Sequence, residues 1–422
     1  MHLDSHGYSP TVLKKIVIAG GRQPSFTLAA AMLKELAEIS ISGPHVRHLT
    51  EQVGGELLEN REAQAQGFAA RTLEPRVATI PAVAVVEVDG GRLQVRASDG
   101  GRGVHDPAWK EDKIACLVTM QSPVHETDPH PDLPACFTDP PRVAALVRGV
   151  RSQGSLSDLD GMTATAATSE PTPEGDADAT AAPPKWQPEP LVRTCVATTQ
   201  TSDDFGPLVA AEAQARNFVA AQRQAFVGDG QAWNWTLQKA FFPEAVAIAD
   251  FIHVLTYVYL AAKAIAGSAQ EHWETYLGWA TSCWQGRVTE VIAALTVWRQ
   301  RLGPLAPGED PPESDPRQVI SKVLTYLENN RPRMDYARYR CLGLPVTSSL
   351  VESLIKQFNY RVKGTEKFWD VGGAESILQV RAALLSEDER LDKHMESRPC
   401  LPFRRYQRHQ REDETTKPRK AG

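Results

Sequence analysis

The spacing of apolar residues changes near Val77, and this change constrains the fold more than any other feature of the 422-residue chain. Before it, apolar residues recur at helical spacing, whereas residues 83–88 and 93–95 form short valine-rich runs typical of strands. Asp89-Gly90-Gly91 lies between these runs and predicts a hairpin turn, and residues 114–118 predict a third strand. We therefore expect a mixed α/β fold.

Residues 8–60 are expected to be helical. Leu28, Met32 and Leu36 recur at helical spacing. A break follows, and Pro44 suits the first turn of the next helix, with Ser42 or Gly43 as its cap. Two short helices joined by a tight turn resemble a helix-turn-helix, although any small helical bundle gives the same pattern. The second helix would expose His45, Arg47, His48 and Thr50.

Residues 151–190 lose all periodicity and are rich in Ala, Thr, Pro and acidic residues, which predicts a disordered insertion that is dispensable for folding. Strand-like runs return at 192–197, 225–227 and 245–248. Helical spacing is found at about 208–217 and at 251–266, 270–302, 319–329, 349–363 and 374–385, with a Pro-rich break at 304–316.

The net charge of −6 hides an asymmetry along the chain. From Arg317 to Gly422 there are 21 basic and 14 acidic residues, so the part before Arg317 carries the negative excess. This predicts a C-terminal region that faces a polyanion, although a solvated basic tail after Arg398 would give the same balance. The six cysteines are too far apart for a zinc ribbon or a disulfide framework, and no apolar run approaches the roughly 20 residues of a membrane span. We expect a soluble cytoplasmic protein.

Three acidic residues lie where catalytic carboxylates would be expected. Asp89 and Asp229 each end a strand-like run, and Glu352 lies in the first turn of a predicted helix. Two strand-end carboxylates and one helix carboxylate can hold two divalent cations. Each residue also has an ordinary explanation: a turn for either Asp, and a surface ion pair with Lys356 for Glu352. The residues alone indicate a metal-dependent enzyme and no more.

Several segments resemble transposases of bacterial insertion sequences, most closely the ISKra type of DDE transposase. They are DGGRLQVR, GDGQAWNW, FPEAVAIADFIHVLTYVY, NNRPRMDYARYRCLGLPVTSSLVES and IKQFNYRVKGTEKFW. The resemblance runs from Tyr8 to about Arg398, without the acidic insertion. Relatives usually carry paired cysteines upstream of Tyr8, so we expect that a zinc element is missing here.

This resemblance implies an RNase H-like catalytic core interrupted by an all-helical insertion, with an N-terminal helical domain and a basic helical C-terminus. Asp89, Asp229 and Glu352 would be the catalytic residues and the ligands of two Mg²⁺ or Mn²⁺ ions. The predicted segments are 1–75 (helical, helix-turn-helix-like), 76–255 (first part of the core), 256–330 (helical insertion), 331–395 (part of the core with Glu352) and 396–422 (flexible basic tail).

Asp250 and His253 match an Asp-x-x-His element that follows the second catalytic acid in some DDE transposases, although an N-capping Asp would explain the same pattern. We therefore choose Asp229 over Asp250 as the second metal ligand, and we expect its carboxylate within about 5 Å of that of Asp89. Asp250→Asn should then retain measurable activity.

The implied function is cleavage at transposon ends and strand transfer into target DNA. The partners would be double-stranded DNA and further copies of the chain on that DNA, in the bacterial nucleoid and away from membranes. Phosphates would be contacted by Lys356, Arg361, Lys363, Lys367, Arg47 and His48. The alternatives are a structure-specific nuclease of the same fold and a catalytically silent DNA-binding derivative.

Overall fold

A five-stranded mixed β-sheet surrounded by helices forms the centre of the computed structural model. The structure describes residues 2–3, 7–96, 108–152, 186–306, 308–364, 367–398 and 401–402. Most of the predicted insertion at 151–190 and most of the predicted tail at 396–422 lie outside the described residues. The strands are β1 (His2–Leu3), β2 (Val83–Val95), β3 (Ala108–Gln121), β4 (Glu189–Thr198), β5 (Arg223–Gly228), β6 (Val246–Ala249) and β7 (Leu401–Pro402).

The helices were expected over most of their length, but α4, α6, α11 and α14 were not. They are α1 (Pro10–Arg22), α2 (Phe26–Ala37), α3 (Gly43–Ala69), α4 (Pro140–Ser152), α5 (Ser202–Ala215), α6 (Ala232–Phe241), α7 (Phe251–Ile265), α8 (Ala269–Trp284), α9 (Val288–Leu302), α10 (Pro316–Asn330), α11 (Tyr336–Cys341), α12 (Ser349–Val362), α13 (Val371–Leu385) and α14 (Arg390–Ser397). The mixed α/β class predicted from the sequence is confirmed.

The main sheet has the strand order β4-β3-β2-β5-β6. Strands β2, β3 and β4 are antiparallel neighbours, whereas β5 is parallel to β2 and β6 is parallel to β5. Parallel neighbours need crossover connections, which α5 and α6 provide on either side of β5 in the chain. The carboxyl ends of β5 and β6 therefore lie at one edge of the sheet, beside the middle of the longer β2.

Strand β2 runs through Asp89-Gly90-Gly91 without a turn, so the predicted hairpin at these residues is wrong. Its whole length pairs with β3, and Gly91 lies opposite Asp112. Buried positions continue to alternate through the glycines, at Asp89, Gly91, Leu93 and Val95. Because the period of two is unbroken, both valine-rich runs belong to one strand.

The N-terminal helices pack against the C-terminal ones. Buried residues of α1, α2 and α3 form one apolar cluster with residues of α13 and α14. As predicted, Ser42 caps α3: its Oγ accepts a hydrogen bond from the His45 N–H at 3.4 Å.

Helix α2 forms where the spacing of Leu28, Met32 and Leu36 predicts a helix, but these three side chains are exposed, whereas Ala29 and Leu33 are buried. Ala29 and Leu33 therefore form the face of α2 that packs in the N-terminal apolar cluster.

Helices α7, α8, α9 and α10 form a helical block whose apolar residues are continuous with the sheet core. Helix α7 starts at Phe251 and runs to Ile265, across the predicted segment boundary at residue 256. Helix α12 packs on β2 and β3, which brings its first turn over the sheet. Within the described ranges, no helix is long and apolar enough to cross a membrane.

Candidate active site

Three aspartates follow one another across the sheet at the ends of paired segments. Val88 pairs with Gly228, and Gly228 pairs with Ala249. The next residues along the chain are Asp89, Asp229 and Asp250. The Asp250 N–H donates to the Gly228 carbonyl at 2.8 Å, which holds its backbone against β5. Residues at paired positions point to the same side of a sheet, so the strand register brings these carboxyl groups together.

Glu352 comes from the first turn of α12, as predicted. Burial raises the pKa of its carboxyl to about 7, helped by the negative charge of Asp250, whereas His253 and Lys356 lower it. Its Oε1 is buried and has no hydrogen-bond partner among the described residues. An acceptor in this condition is available to a cation or to a donor that enters the site.

Asp89 is buried in strand β2, and its Oδ1 accepts the Gly90 N–H at 2.7 Å. Burial raises its pKa well above the usual range, and the charges of Asp229 and Glu352 raise it further. Neighbouring negative charges disfavour ionisation of each carboxyl. Among these charges, that of Asp229 has the larger effect on Asp89.

Asp229 is held by the residues that follow it. Its Oδ1 accepts the Gln231 N–H at 3.0 Å and the Asn234 side-chain amide at 2.5 Å. Its Oδ2 accepts the Gln231 side-chain amide at 2.9 Å. Gly230 has a φ of +100°, a conformation that glycine adopts without strain, and this lets the chain turn directly after the acid. The turn around Asp229 therefore orients its carboxylate.

Asp250 joins α7 to the start of α12. Its Oδ1 accepts the N–H groups of Ile252 at 3.0 Å and Ser348 at 3.3 Å. Its Oδ2 lies 2.8 Å from His253 Nδ1 and accepts the Ser348 hydroxyl at 2.7 Å. Burial alone would raise the pKa of Asp250, but the bonds from His253 and Ser348 outweigh it and hold the pKa below its usual value. Asp250 is therefore an N-cap, as its position suggested, and also a tertiary bridge.

His253 is the positive charge at the centre of this acidic site. Burial lowers the pKa of His253, but the hydrogen bond to Asp250 and the negative charge of Asp250 raise it. The charges of Asp229 and Asp89 raise it further, so that the pKa is about 10. The ring is therefore an imidazolium when the acids around it are ionised. Since only a neutral imidazole binds a metal, a metal at His253 would have to displace this proton.

The donor set fits a hard divalent cation. One potential ligand atom from each of Asp250, His253 and Glu352 lies within 4.8 Å of the others. The charges of Asp89 and Asp229 act on the same site, since both raise the pKa of His253. A buried site with several carboxylate oxygens suits Mg²⁺ or Mn²⁺. The group that could hold a metal therefore contains Glu352 of the predicted ligands, and the choice of Asp89 and Asp229 as its fellow ligands stays a prediction.

Two of the predicted phosphate contacts are engaged within the protein. Arg361 is 1% exposed, its Nε donates to the Gly20 carbonyl at 2.8 Å, and its guanidinium packs over Phe26 and Trp369. Such burial contradicts a DNA contact by Arg361. The ammonium of Lys367 donates to the carbonyls of Tyr360 and Arg361, so it stabilises the end of α12.

The other four predicted contacts lie at the surface. Lys356 is exposed on α12, Lys363 is exposed at its C-cap, and Arg47 and His48 are exposed on α3. Arg47 is ion-paired with Glu51 and with Asp370. Thr50 is buried and its hydroxyl donates to the Val46 carbonyl, so its predicted exposure is wrong.

The sequence interpretation missed Glu87 and Asp112, two further buried acids on the same sheet. Glu87 is 1% exposed, and burial raises its pKa to about 8 while the Val351 N–H lowers it. A signal was present: Val-Glu-Val-Asp alternates, so an acid two positions before Asp89 must share its face. Asp112 carried no such signal, because its burial depends on the pairing with Gly91.

Comparison with known protein families and with curated proteins finds no match for this chain.

Proposed function

We propose that this chain is a metal-dependent enzyme that cuts and joins DNA, a transposase of the DDE type. The proposal is supported by the site at the carboxyl ends of β5 and β6, where ligand atoms of Asp250, His253 and Glu352 lie within 4.8 Å of one another. In the same site, burial raises the pKa values of Asp89 and Glu352. Buried acids with raised pKa values are typical of sites that bind a cation or transfer protons.

The sheet supports an RNase H-like core as the scaffold. Three antiparallel strands followed by two parallel ones, in the order β4-β3-β2-β5-β6, agree with that fold. The order of the three acids also agrees with the resemblance to DDE transposases. Asp89 lies on the central strand, Asp229 follows the neighbouring parallel strand, and Glu352 lies on a helix that packs on the sheet. The helical block of α8 to α10 lies in the chain between the second and third acids.

Asp89, Asp229 and Glu352 would hold Mg²⁺ or Mn²⁺. When bound, such ions lower the pKa of a water or hydroxyl nucleophile and neutralise charge on the phosphate and the leaving oxygen. Asp250 orients His253 and the start of α12, while Gln231 and Asn234 orient Asp229. These residues would orient Asp229 and the helix turn that carries Glu352 before substrate binds, which reduces the cost of reorganisation.

Exposed lysines beside the site support DNA as the substrate. Lys356 lies one helical turn after Glu352 and is close enough to lower its pKa, and Lys363 follows at the end of the same helix. A phosphate backbone that crosses α12 would meet both ammonium groups next to the acids. Arg361 is excluded from this surface by its burial.

The test uses duplexes made from the DNA that flanks the gene, incubated with the full chain and Mg²⁺ or Mn²⁺. We expect cleavage at discrete positions, followed by joining of the cut ends to a target duplex. Glu352→Gln should abolish cleavage while folding and DNA binding persist, because the amide cannot supply the negative charge that the cation needs. Glu328→Gln, on the exposed face of α10, is the matched control and should cut like the wild type.

Cleavage by Glu352→Gln at the wild-type rate, or cleavage undiminished by EDTA, would overturn the proposal. Cleavage without joining would indicate a structure-specific nuclease instead. Specific end binding without cleavage by the wild type would indicate a silent DNA-binding derivative.

A further inference from the structure

We infer that Glu87 is a positioning residue that fixes catalytic Glu352 over Asp89 by holding the first turn of α12. This inference rests on the proposed function for the catalytic role of Glu352. The local geometry itself involves only Glu87, α12 and strand β2.

Glu87 is placed under α12 by the strand on which it lies. It is two residues before Asp89 in β2, so both side chains point to the same face of the sheet. Helix α12 packs on this part of the sheet, and Glu87 is 1% exposed beneath it. The side chain can therefore reach only groups in the protein interior.

The first turn of α12 needs a hydrogen-bond acceptor from outside the helix. The N–H groups in the first turn of a helix have no partner within the helix, and a side chain at the N-cap usually accepts one of them. Here Ser348 is the N-cap, but its side chain makes no such bond. Its hydroxyl donates to Asp250 Oδ2 at 2.7 Å instead.

Glu87 takes the place of the missing cap from another element. Its Oε2 accepts the Val351 N–H at 2.9 Å. Val351 directly precedes Glu352, so the bond fixes the peptide from which the catalytic side chain extends. The helix start is thus tied to β2 by Glu87 and to the β6–α7 junction by Asp250.

These two ties have different consequences. Asp250 also contacts His253 and affects Glu352 directly, so a change there alters the charge of the site as well as its geometry. The hydrogen bond of Glu87 goes to the backbone of α12. Its loss should let the first turn of α12 shift relative to Asp89, and supporting residues of this kind change metal affinity or activity by roughly 10–100-fold.

The experiment compares Glu87→Gln with Glu87→Met in the full chain. Gln keeps an oxygen that can accept the Val351 N–H, whereas Met fills a similar volume without one. Binding of Mn²⁺ to the metal-free protein is measured by calorimetry, and amide exchange is followed in the first turn of α12. Cleavage is the third measurement. Glu375→Met is the matched control, because Glu375 is also buried and accepts a backbone N–H, that of Thr199, on the other side of β3.

We expect Glu87→Met to weaken Mn²⁺ binding and slow cleavage by roughly 10–100-fold, with faster exchange at the start of α12. Glu87→Gln should stay within about threefold of the wild type on the same scale. Glu375→Met should lower stability without changing Mn²⁺ affinity.

Wild-type Mn²⁺ affinity in Glu87→Met would overturn the inference. Equal damage in Glu87→Gln and Glu87→Met would also overturn it, since the charge and not the hydrogen bond would then matter. A wild type that binds Mn²⁺ but cuts no DNA overturns the proposed function, while the affinities and exchange rates of the variants still decide the role of Glu87.

Discussion

The two ends of the main sheet both bury acidic residues, but they differ in the cations beside these acids: arginines at one end, and the single His253 among several acids at the other. At the end where β2 begins, Glu212 is 5% exposed and accepts hydrogen bonds from Arg76 at 2.9 Å and Arg390 at 2.6 Å. Burial alone would raise its pKa, yet the two arginines hold it below its usual value. At the other end, burial and neighbouring acids raise the pKa values of Asp89 and Glu352.

The difference separates structural acids from functional ones. Glu212 lies in the wall of a cavity of about 890 Å³ that also includes Arg76, Arg216 and Arg390, and each of these guanidinium groups has protein partners. Buried acids that outnumber the cations beside them lower stability, so a fold can retain them where a bound cation or substrate neutralises them. The contrast therefore supports the proposal that the site lies at the carboxyl ends of β5 and β6.

The largest expected effect comes from removing Asp229, the second predicted metal ligand. Asp229→Asn should reduce cleavage by more than about a thousandfold, which is about 4 kcal/mol at 1.36 kcal/mol for each factor of ten. Asp250→Asn should lose only roughly 10–100-fold, because its bonds position His253 and Ser348. Cleavage rates and Mn²⁺ affinity measured on both variants check the order.

A larger loss in Asp250→Asn than in Asp229→Asn would reverse the assignment and make Asp250 the second ligand. Asp132→Asn, at an exposed position between β3 and α4, is the control and should cut like the wild type.

Removing an arginine at the opposite end of the sheet should lower stability and leave catalysis unchanged. Arg390→Ala removes one of the two arginines that pair with Glu212 and also the partner of Asp388. Since Arg76 still pairs with Glu212, we expect a loss near the low end for buried pairs, about 3 kcal/mol in the free energy of unfolding. Urea unfolding measures the loss, and cleavage per folded molecule should stay unchanged. Replacing Glu212 by Gln as well should recover part of the loss, since one less charge is then left unpaired.

Arg299→Ala, on the exposed face of α9, is the control and should change the free energy of unfolding by less than about 0.5 kcal/mol. A loss below about 1 kcal/mol in Arg390→Ala would mean that its ion pairs behave as surface pairs, and the contrast between the two ends would fail.

The sequence predicted the positions of helices and strands better than it predicted which strands pair with each other. The strands after residue 190, the start of α3 at Ser42 and the place of Glu352 in α12 follow from local spacing and capping, so they could be predicted. The pairing of β2 with β3 through Asp89-Gly90-Gly91 could not, because a glycine pair favours a turn unless the opposite strand extends equally far.

Burial of charged residues was harder still to predict. Arg361 lies among lysines in the sequence, and only the tertiary structure places its guanidinium beside Phe26 and the Gly20 carbonyl. Likewise Glu87 shares its face with Asp89 by simple alternation, but its bond to Val351 joins residues 264 positions apart.

The smallest expected effect concerns Asp112, which lies on the same face as Asp89 and should depend on pH. Its side chain is fully buried opposite Gly91, neither carboxylate oxygen has a hydrogen-bond partner among the described residues, and burial raises its pKa to about 6. A raised pKa means that the folded state binds this proton more tightly than the unfolded state does. The free energy of unfolding should therefore fall as the pH rises from about 4 to about 6 and then level off, with a total loss of about 2 to 3 kcal/mol from this group.

Asp112→Asn removes the titration, so we expect this variant to be more stable than the wild type at pH 7.5 and to approach the stability of the wild type as the pH falls to 5. Urea unfolding at several pH values measures the difference, with Asp132→Asn as the exposed control. A difference that is constant with pH, or that widens toward low pH, would mean that Asp112 is neutralised by Lys363 or Lys113 as Glu212 is by its arginines, and the contrast would then be confined to the catalytic acids.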